Sequence, residues 1–88
     1  MRASQVVELA KQELAALTGL QPETVSSISK KDGTWEVKVD MLELSMVPNT
    51  RDVLAIYHVV FDANNDGDLL SYHRVGRYRR DQLEITRE

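Results

Sequence analysis

One stretch constrains this chain more than any other. Val53–Phe61 is apolar in both phases of a two-residue repeat, with Val53, Ala55, Tyr57, Val59 and Phe61 in one phase and Leu54, Ile56 and Val60 in the other. A run of this kind belongs at the centre of a sheet, where both faces meet other atoms. The chain that must supply the cover is short. Its 88 residues read as a single domain over residues 1–88, and folding removes only about 60–65% of the extended surface from water at this size. A two-domain enzyme or a barrel of crossover units is thereby excluded.

The remaining elements follow from periodicity. Residues of about Ser4–Thr18 predict an amphipathic helix, in which Ala3, Val6, Val7, Ala10, Leu14 and Leu17 share one arc. Ser4 is the expected N-cap and Gly19 the expected C′ glycine. Gln21-Pro22-Glu23 reads as a turn and Thr24–Lys30 as a short strand. Lys31-Asp32-Gly33 is a hairpin turn before a strand over about Thr34–Met46, where Trp35, Val37, Val39 and Met41 alternate with Glu36, Lys38 and Asp40. That alternation slips at Leu42 and Leu44, as a bulge would require. Further strands are expected at about Val53–Asp62 and Leu69–Arg79. The fold class is α+β: one N-terminal helix on a four-stranded antiparallel meander, three strands long and one short.

One helix of ~15 residues cannot cover both faces of such a sheet. Two readings of the second face stand side by side. Either a partner covers it, a second copy of this chain included, or Arg, Lys and Tyr stems from neighbouring strands shield it.

Charge and composition narrow the chemistry. The formal net charge is −3, so the molecule as a whole is not a general nucleic-acid binder. With no cysteine there is no disulfide framework, thiolate metal ligation or cysteine nucleophile. Glu8, Lys11 and Glu13 interrupt the apolar residues of the N-terminal segment, which is therefore neither signal peptide nor membrane span, and a cytoplasmic location is expected.

No catalytic or cofactor pattern emerges. Serines 4, 26, 27, 29, 45 and 71 lack a strand–turn–helix elbow, and Gly19, Gly33, Gly67 and Gly76 are isolated, so neither an enzyme nor a cofactor is expected. Asp62–Asp68 has oxygen-bearing residues at positions 1, 3, 5 and 7 of a calcium loop and glycine at position 6. Position 12 is His73 in place of the bidentate glutamate, and strands flank the loop, so a hairpin turn is the better reading. His58 and His73 meet only if the hairpin register sets them opposite or diagonal, and a metal would still need Asp40 or Glu43. No metal is expected.

The final strand differs from the rest. Tyr72-His73-Arg74-Val75-Gly76-Arg77-Tyr78-Arg79-Arg80 holds four arginines and no acid. A strict two-residue period places Tyr72, Arg74, Tyr78 and Arg80 on one side, with His73, Arg77 and Arg79 on the other. Three uses of this strand rank in order: internal pairing with acids such as Glu36, Asp40 and Glu43, then a protein partner, then nucleic acid.

An ordered set of residues also resembles a known family. Asp32-Gly33-Thr34-Trp35-Glu36-Val37-Lys38-Val39, Glu43, Val47-Pro48, Asp52-Val53-Leu54-Ala55-x-Tyr57-x-Val59 and Asp62…Gly67-x-Leu69-x-x-Tyr72-x-Arg74-Val75-x-Arg77-Tyr78-x-Arg80 resemble the gas vesicle protein O family of gas vesicle synthesis accessory proteins. The likeness spans about residues 3–81, with departures at Thr34, at His58 and in the length of the Asp62–Asp68 turn. It implies a cytoplasmic, non-enzymatic role in making gas vesicles, as an assembly or chaperone factor for the shell protein or other accessory proteins. On that reading the candidate partner-binding residues are Trp35, Tyr57, Tyr72, Arg74, Arg77, Tyr78, Arg79 and Arg80, with Glu43 and Asp52 as internal partners of the arginines. The alternatives are a regulator touching nucleic acid through Tyr72–Arg80 and, by fold analogy alone, a PepSY-like or cystatin-like peptide-binding module.

Overall fold

The apolar spacing of the N-terminal segment closes as helix α1, Ala3–Thr18, in a computed structural model that describes residues 2–64, 67–81 and 86–87. Val6, Ala10 and Leu14 are fully buried, one helical turn apart. Leu17 lies on the same stripe but is 46% exposed, and Ala3 at the other end is exposed as well. The stripe outruns the core beneath it at both ends. Ser4 is not the cap, because the helix begins one residue earlier than expected. Arg2 is the N-cap residue, and its N–H donates to Gln5 Oε1 at 2.8 Å. Gly19 does terminate the helix: at φ 73° its N–H donates to the Ala15 carbonyl, a conformation that favours glycine.

Five strands follow: β1 Gln21–Lys31, β2 Thr34–Leu44, β3 Val53–Asp62, β4 Leu69–Arg79 and a short β5, Thr86–Arg87. They form one antiparallel sheet in chain order, with β3 at its centre. The helix packs over β1 and β2. β5 adds a pair of residues beside Gly76 and Arg77, in what the sequence suggests is only a polar tail. Residues 21–23 are strand rather than turn, with Pro22 opposite Met41. Proline is tolerated here because β1 is an edge strand, whose outward N–H groups need no ladder partner. β2 ends at Leu44, short of the expected Met46, because the Met46 N–H turns away to Asp52.

Asp32 at φ 50° and Gly33 at φ 79° make the two-residue β1–β2 turn; two successive positive φ angles match the twist of the flanking strands. The slip at the end of β2 is a register shift between Leu42 and Leu44. The core on the helix side comprises Val37, Val39, Met41, Val59 and Phe61 against Val6, Ala10 and Leu14.

Candidate partner-binding surface

β4 does not keep a strict two-residue period. Tyr72 faces Val59, His73 faces His58 and Arg74 faces Tyr57, but a register shift then leaves Val75 unpaired and sets Gly76 opposite Ile56. Directly opposed residues share a face, so the extra residue reverses the phase of everything after it. Tyr72, Arg74 and Arg77 therefore lie on the helix side of the sheet, and His73 and Tyr78 on the far side. The expected division, with Tyr72 and Tyr78 together and Arg74 apart from Arg77, is corrected by that bulge.

Acids from the sheet and its connecting segments take up the basic strand and Arg80. Arg74 Nη1 donates to Glu43 Oε2 at 2.9 Å, and Arg77 Nη1 lies 3.6 Å from Glu43 Oε1. Glu43 is on β2, so both arginines reach across β3, where the opposing residues include the small, fully buried Ala55. Arg80 donates to Glu23 Oε1 at 2.8 Å and to Asp52 Oδ2 at 3.2 Å, and these two carboxylates push its guanidinium still further up. Arg79 pairs with Asp81. Glu43 and Asp52 thus act as the internal partners that the sequence suggests. Because Arg74 meets Glu43 with part-buried geometry while Arg77 is half exposed, their couplings should differ. A double-mutant cycle of Glu43→Ala with Arg74→Ala should give ~0.5–1 kcal/mol, and the cycle with Arg77→Ala close to zero. Urea denaturation of the wild type and the five variants measures both.

Tyr78 makes the corresponding strap on the far face. Its hydroxyl donates to Asp40 Oδ2 at 2.7 Å. Asp40 stands on β2, two strands away and about 10 Å at ordinary strand spacing, so the ring lies across β3. Its nearest neighbours there by register are Leu54 and Ile56, both buried. Shielding by a long side chain accounts for this end of the second face, as one of the two sequence readings has it. Burial first, then the bond to Asp40 and the charge of that carboxylate, push the Tyr78 hydroxyl up to about 12. Its folded pKa exceeds the unfolded value of about 10. The contribution to stability is therefore complete below pH ~10 and is lost as pH rises towards ~12. Tyr78→Phe should cost ~1–3 kcal/mol at neutral pH by stranding the buried carboxylate. It should also remove that alkaline loss, read as the difference between wild-type and variant urea midpoints from pH 8 to 11.

The remaining candidates are divided between core and surface. Trp35 and Tyr57 are half-buried and pack against the core cluster, and Lys30 Nζ stands 5.6 Å from the Trp35 ring centroid. Tyr72 is 40% exposed. His58 and His73 do face one another, edge to face with centroids 5.3 Å apart, and the nearby carboxylate is Glu36 at 3.2 Å from His58 Nε2. Asp40 and Glu43 are engaged by Tyr78 and the arginines instead. Among the described residues no group of three or more His, Cys, Asp or Glu side chains is placed to hold a metal ion. In the Asp62–Asp68 turn, Asp62 Oδ1 accepts the Asn64 N–H at 2.8 Å and the Asp62 N–H donates to the Asp68 carbonyl, as in a side-chain-supported turn. Asn65 and Asp66 of that turn lie outside the described residues.

One exposed group escapes sequence reasoning. Leu44, Met46 and Val47 all face solvent, Val47 at 95%. The available signal was the uncharged run Leu44–Thr50 in a chain where 28% of residues are charged.

No helix among the described residues is long and apolar enough to cross a membrane. The family model described as gas vesicle synthesis protein GvpO matches residues 1–84. Gas vesicle protein O of Streptomyces sp. (strain CB03234) is 46% identical over 68 residues, covering 77% of this chain and 52% of the relative. Gas vesicle protein O1 of Halobacterium salinarum (strain ATCC 700922 / JCM 11081 / NRC-1) is 30% identical over 64 residues, covering 73% of this chain and 52% of the relative. The chain thus spans about half the length of the curated relatives it matches. No solved structure matches it significantly.

Proposed function

Because this chain belongs to the gas vesicle protein O family of gas vesicle synthesis proteins, we propose that it takes part in gas vesicle formation as a non-enzymatic assembly factor that binds another gas vesicle protein. The observation that carries the role is the family match over residues 1–84. The binding step is supported by the helix side of β3 and β4, beyond the strands over which α1 packs. Tyr72 and the half-exposed Arg77 stand there, and both residue types are favoured at interfaces. The partner is the shell protein or another accessory protein, and the site of action is the cytoplasm. The nucleic-acid reading draws no support from β4 and the Arg80 that follows it, whose arginines meet Glu43, Asp81, Glu23 and Asp52.

The experiment is genetic and biochemical. In a host that forms gas vesicles with this protein, deleting its gene should lower vesicle yield and re-expression should restore it. Tagged protein should co-purify with the shell protein or an accessory protein, and Tyr72→Ala with Arg77→Ala should weaken that capture about tenfold while circular dichroism shows the variant still folded. Unchanged yield on deletion removes the role. Failure to capture any gas vesicle protein, while established pairs are captured in parallel, removes the binding step.

A further inference from the structure

The register of the β3–β4 hairpin brings two imidazoles together. His58 on β3 and His73 on β4 are directly opposed, and their rings stand edge to face with centroids 5.3 Å apart. Opposed residues share a face, and for this pair it is the face away from α1. His73 is exposed, and the His58 side chain is 21% exposed. A small ion can therefore reach both rings. Imidazole suits zinc, copper and nickel, whereas calcium and magnesium take oxygen ligands. With metal–nitrogen bonds of ~2.0–2.1 Å, two imidazoles on one tetrahedral ion have centroids roughly 5 Å apart. The pair already holds that separation, on two paired strands rather than on a loop, so binding requires only side-chain rotation.

The groups around the pair suit the same role. Glu36 Oε1 stands 3.2 Å from His58 Nε2. A carboxylate beside one ring nitrogen favours the proton there and leaves the lone pair of the other nitrogen for a metal, as ligand histidines are ordinarily held. Lys38 on β2 is the cation that faces His58 by register; it is exposed, so water and salt screen its charge. Asp40 and Glu43, the further ligands that the sequence suggests, are committed to Tyr78 and to Arg74 with Arg77. No set of three or more His, Cys, Asp or Glu is placed to hold an ion among the described residues, so the chain offers two ligands and water completes the coordination.

We infer that His58 and His73 form a two-imidazole clamp for a zinc-like late first-row dication. Glu36 is its positioning residue, holding the proton on His58 Nε2 and leaving Nδ1 to the metal. The clamp is independent of the protein-binding reading above, because it uses the opposite face of the sheet.

The test titrates zinc chloride into the full chain, followed by calorimetry and by proton–nitrogen spectra of the two rings, with calcium chloride as control. One equivalent of zinc should shift the ring signals of both histidines together, and calcium should shift neither. His58→Ala and His73→Ala should each weaken zinc binding about a hundredfold, because each removes the chelate, while circular dichroism shows both variants folded. Glu36→Gln should weaken it about tenfold and, in the metal-free chain, move the His58 nitrogen shifts away from those of an Nε2–H ring. Zinc that shifts one ring alone, or neither, overturns the clamp. So does equal zinc affinity in wild type and His73→Ala, or undiminished uptake by the chain lacking both histidines. Unchanged affinity together with unchanged His58 nitrogen shifts in Glu36→Gln overturns the positioning role.

Discussion

Phe61→Ala is expected to bring this domain close to unfolding. Phe61 is the largest fully buried side chain among the described residues, paired with Trp35 on β2 and with Leu69 on β4. Truncating a buried phenylalanine costs ~3–5 kcal/mol, part lost transfer energy and part unfilled cavity. Domains as a class are stable by ~5–15 kcal/mol, and one of this size sits near the lower end. The variant should thus lose a third or more of its stability. Each kcal/mol corresponds to roughly 4–8 °C at this chain length, so the thermal midpoint by circular dichroism should fall by ~15 °C or more. Leu17→Ala is the matched control. Leu17 is as apolar and lies on the buried stripe by spacing, yet it is half exposed, so its truncation should move the midpoint by only ~5 °C or less. Equal losses at the two positions would contradict the position of the core.

The second large effect is expected at Asp52. Its carboxylate is buried and joins three parts of the chain: the loop through the Met46 N–H, and the end of β4 and β1 through Arg80 and its other partner Glu23. Asp52→Ala strands the Met46 amide and removes one of the two acids that hold Arg80. An unpaired backbone donor costs ~1–3 kcal/mol, and the urea midpoint should fall by an amount equivalent to ~2 kcal/mol. Asp52→Asn keeps an oxygen acceptor for Met46 and should lose about half as much. Limited proteolysis supplies the local readout. Cleavage after Met46 or Arg51 should accelerate in Asp52→Ala before the sheet is lost, because local opening exposes the loop first.

The parts of the fold that were legible in the sequence are those set by neighbours along the chain. Val53–Phe61 reads as the central strand because both of its phases are apolar, and β3 is central. Lys31-Asp32-Gly33 reads as a hairpin turn, and Asp32 and Gly33 take the two positive φ angles such a turn needs, with Lys31 still in β1. Glu43 breaks the β2 alternation, and the register shifts there. Where periodicity misleads, the cause lies in another element. Pro22 resembles a turn until its strand is known to be an edge. Leu17 fits the buried arc until the helix is known to overhang its core. The division of β4 into two faces fails at Val75, because a bulge is a property of two paired strands and leaves little trace in one of them.

The candidate surface divides in the same way. The amino-acid sequence by itself determined that the last long strand would be basic and that Glu43 and Asp52 were available to neutralise its arginines. Only the tertiary structure decided that Arg74 and Arg77 meet one carboxylate across β3, and that Tyr78 spans the opposite face to reach Asp40. It also decided that Leu44, Met46 and Val47 remain in solvent. Those outcomes depend on distances between residues remote in the chain, and such distances exist only once strand register and the position of the helix are set. A central strand apolar on both sides specifies that cover is needed; which side chains supply it follows from the partners that register brings within reach.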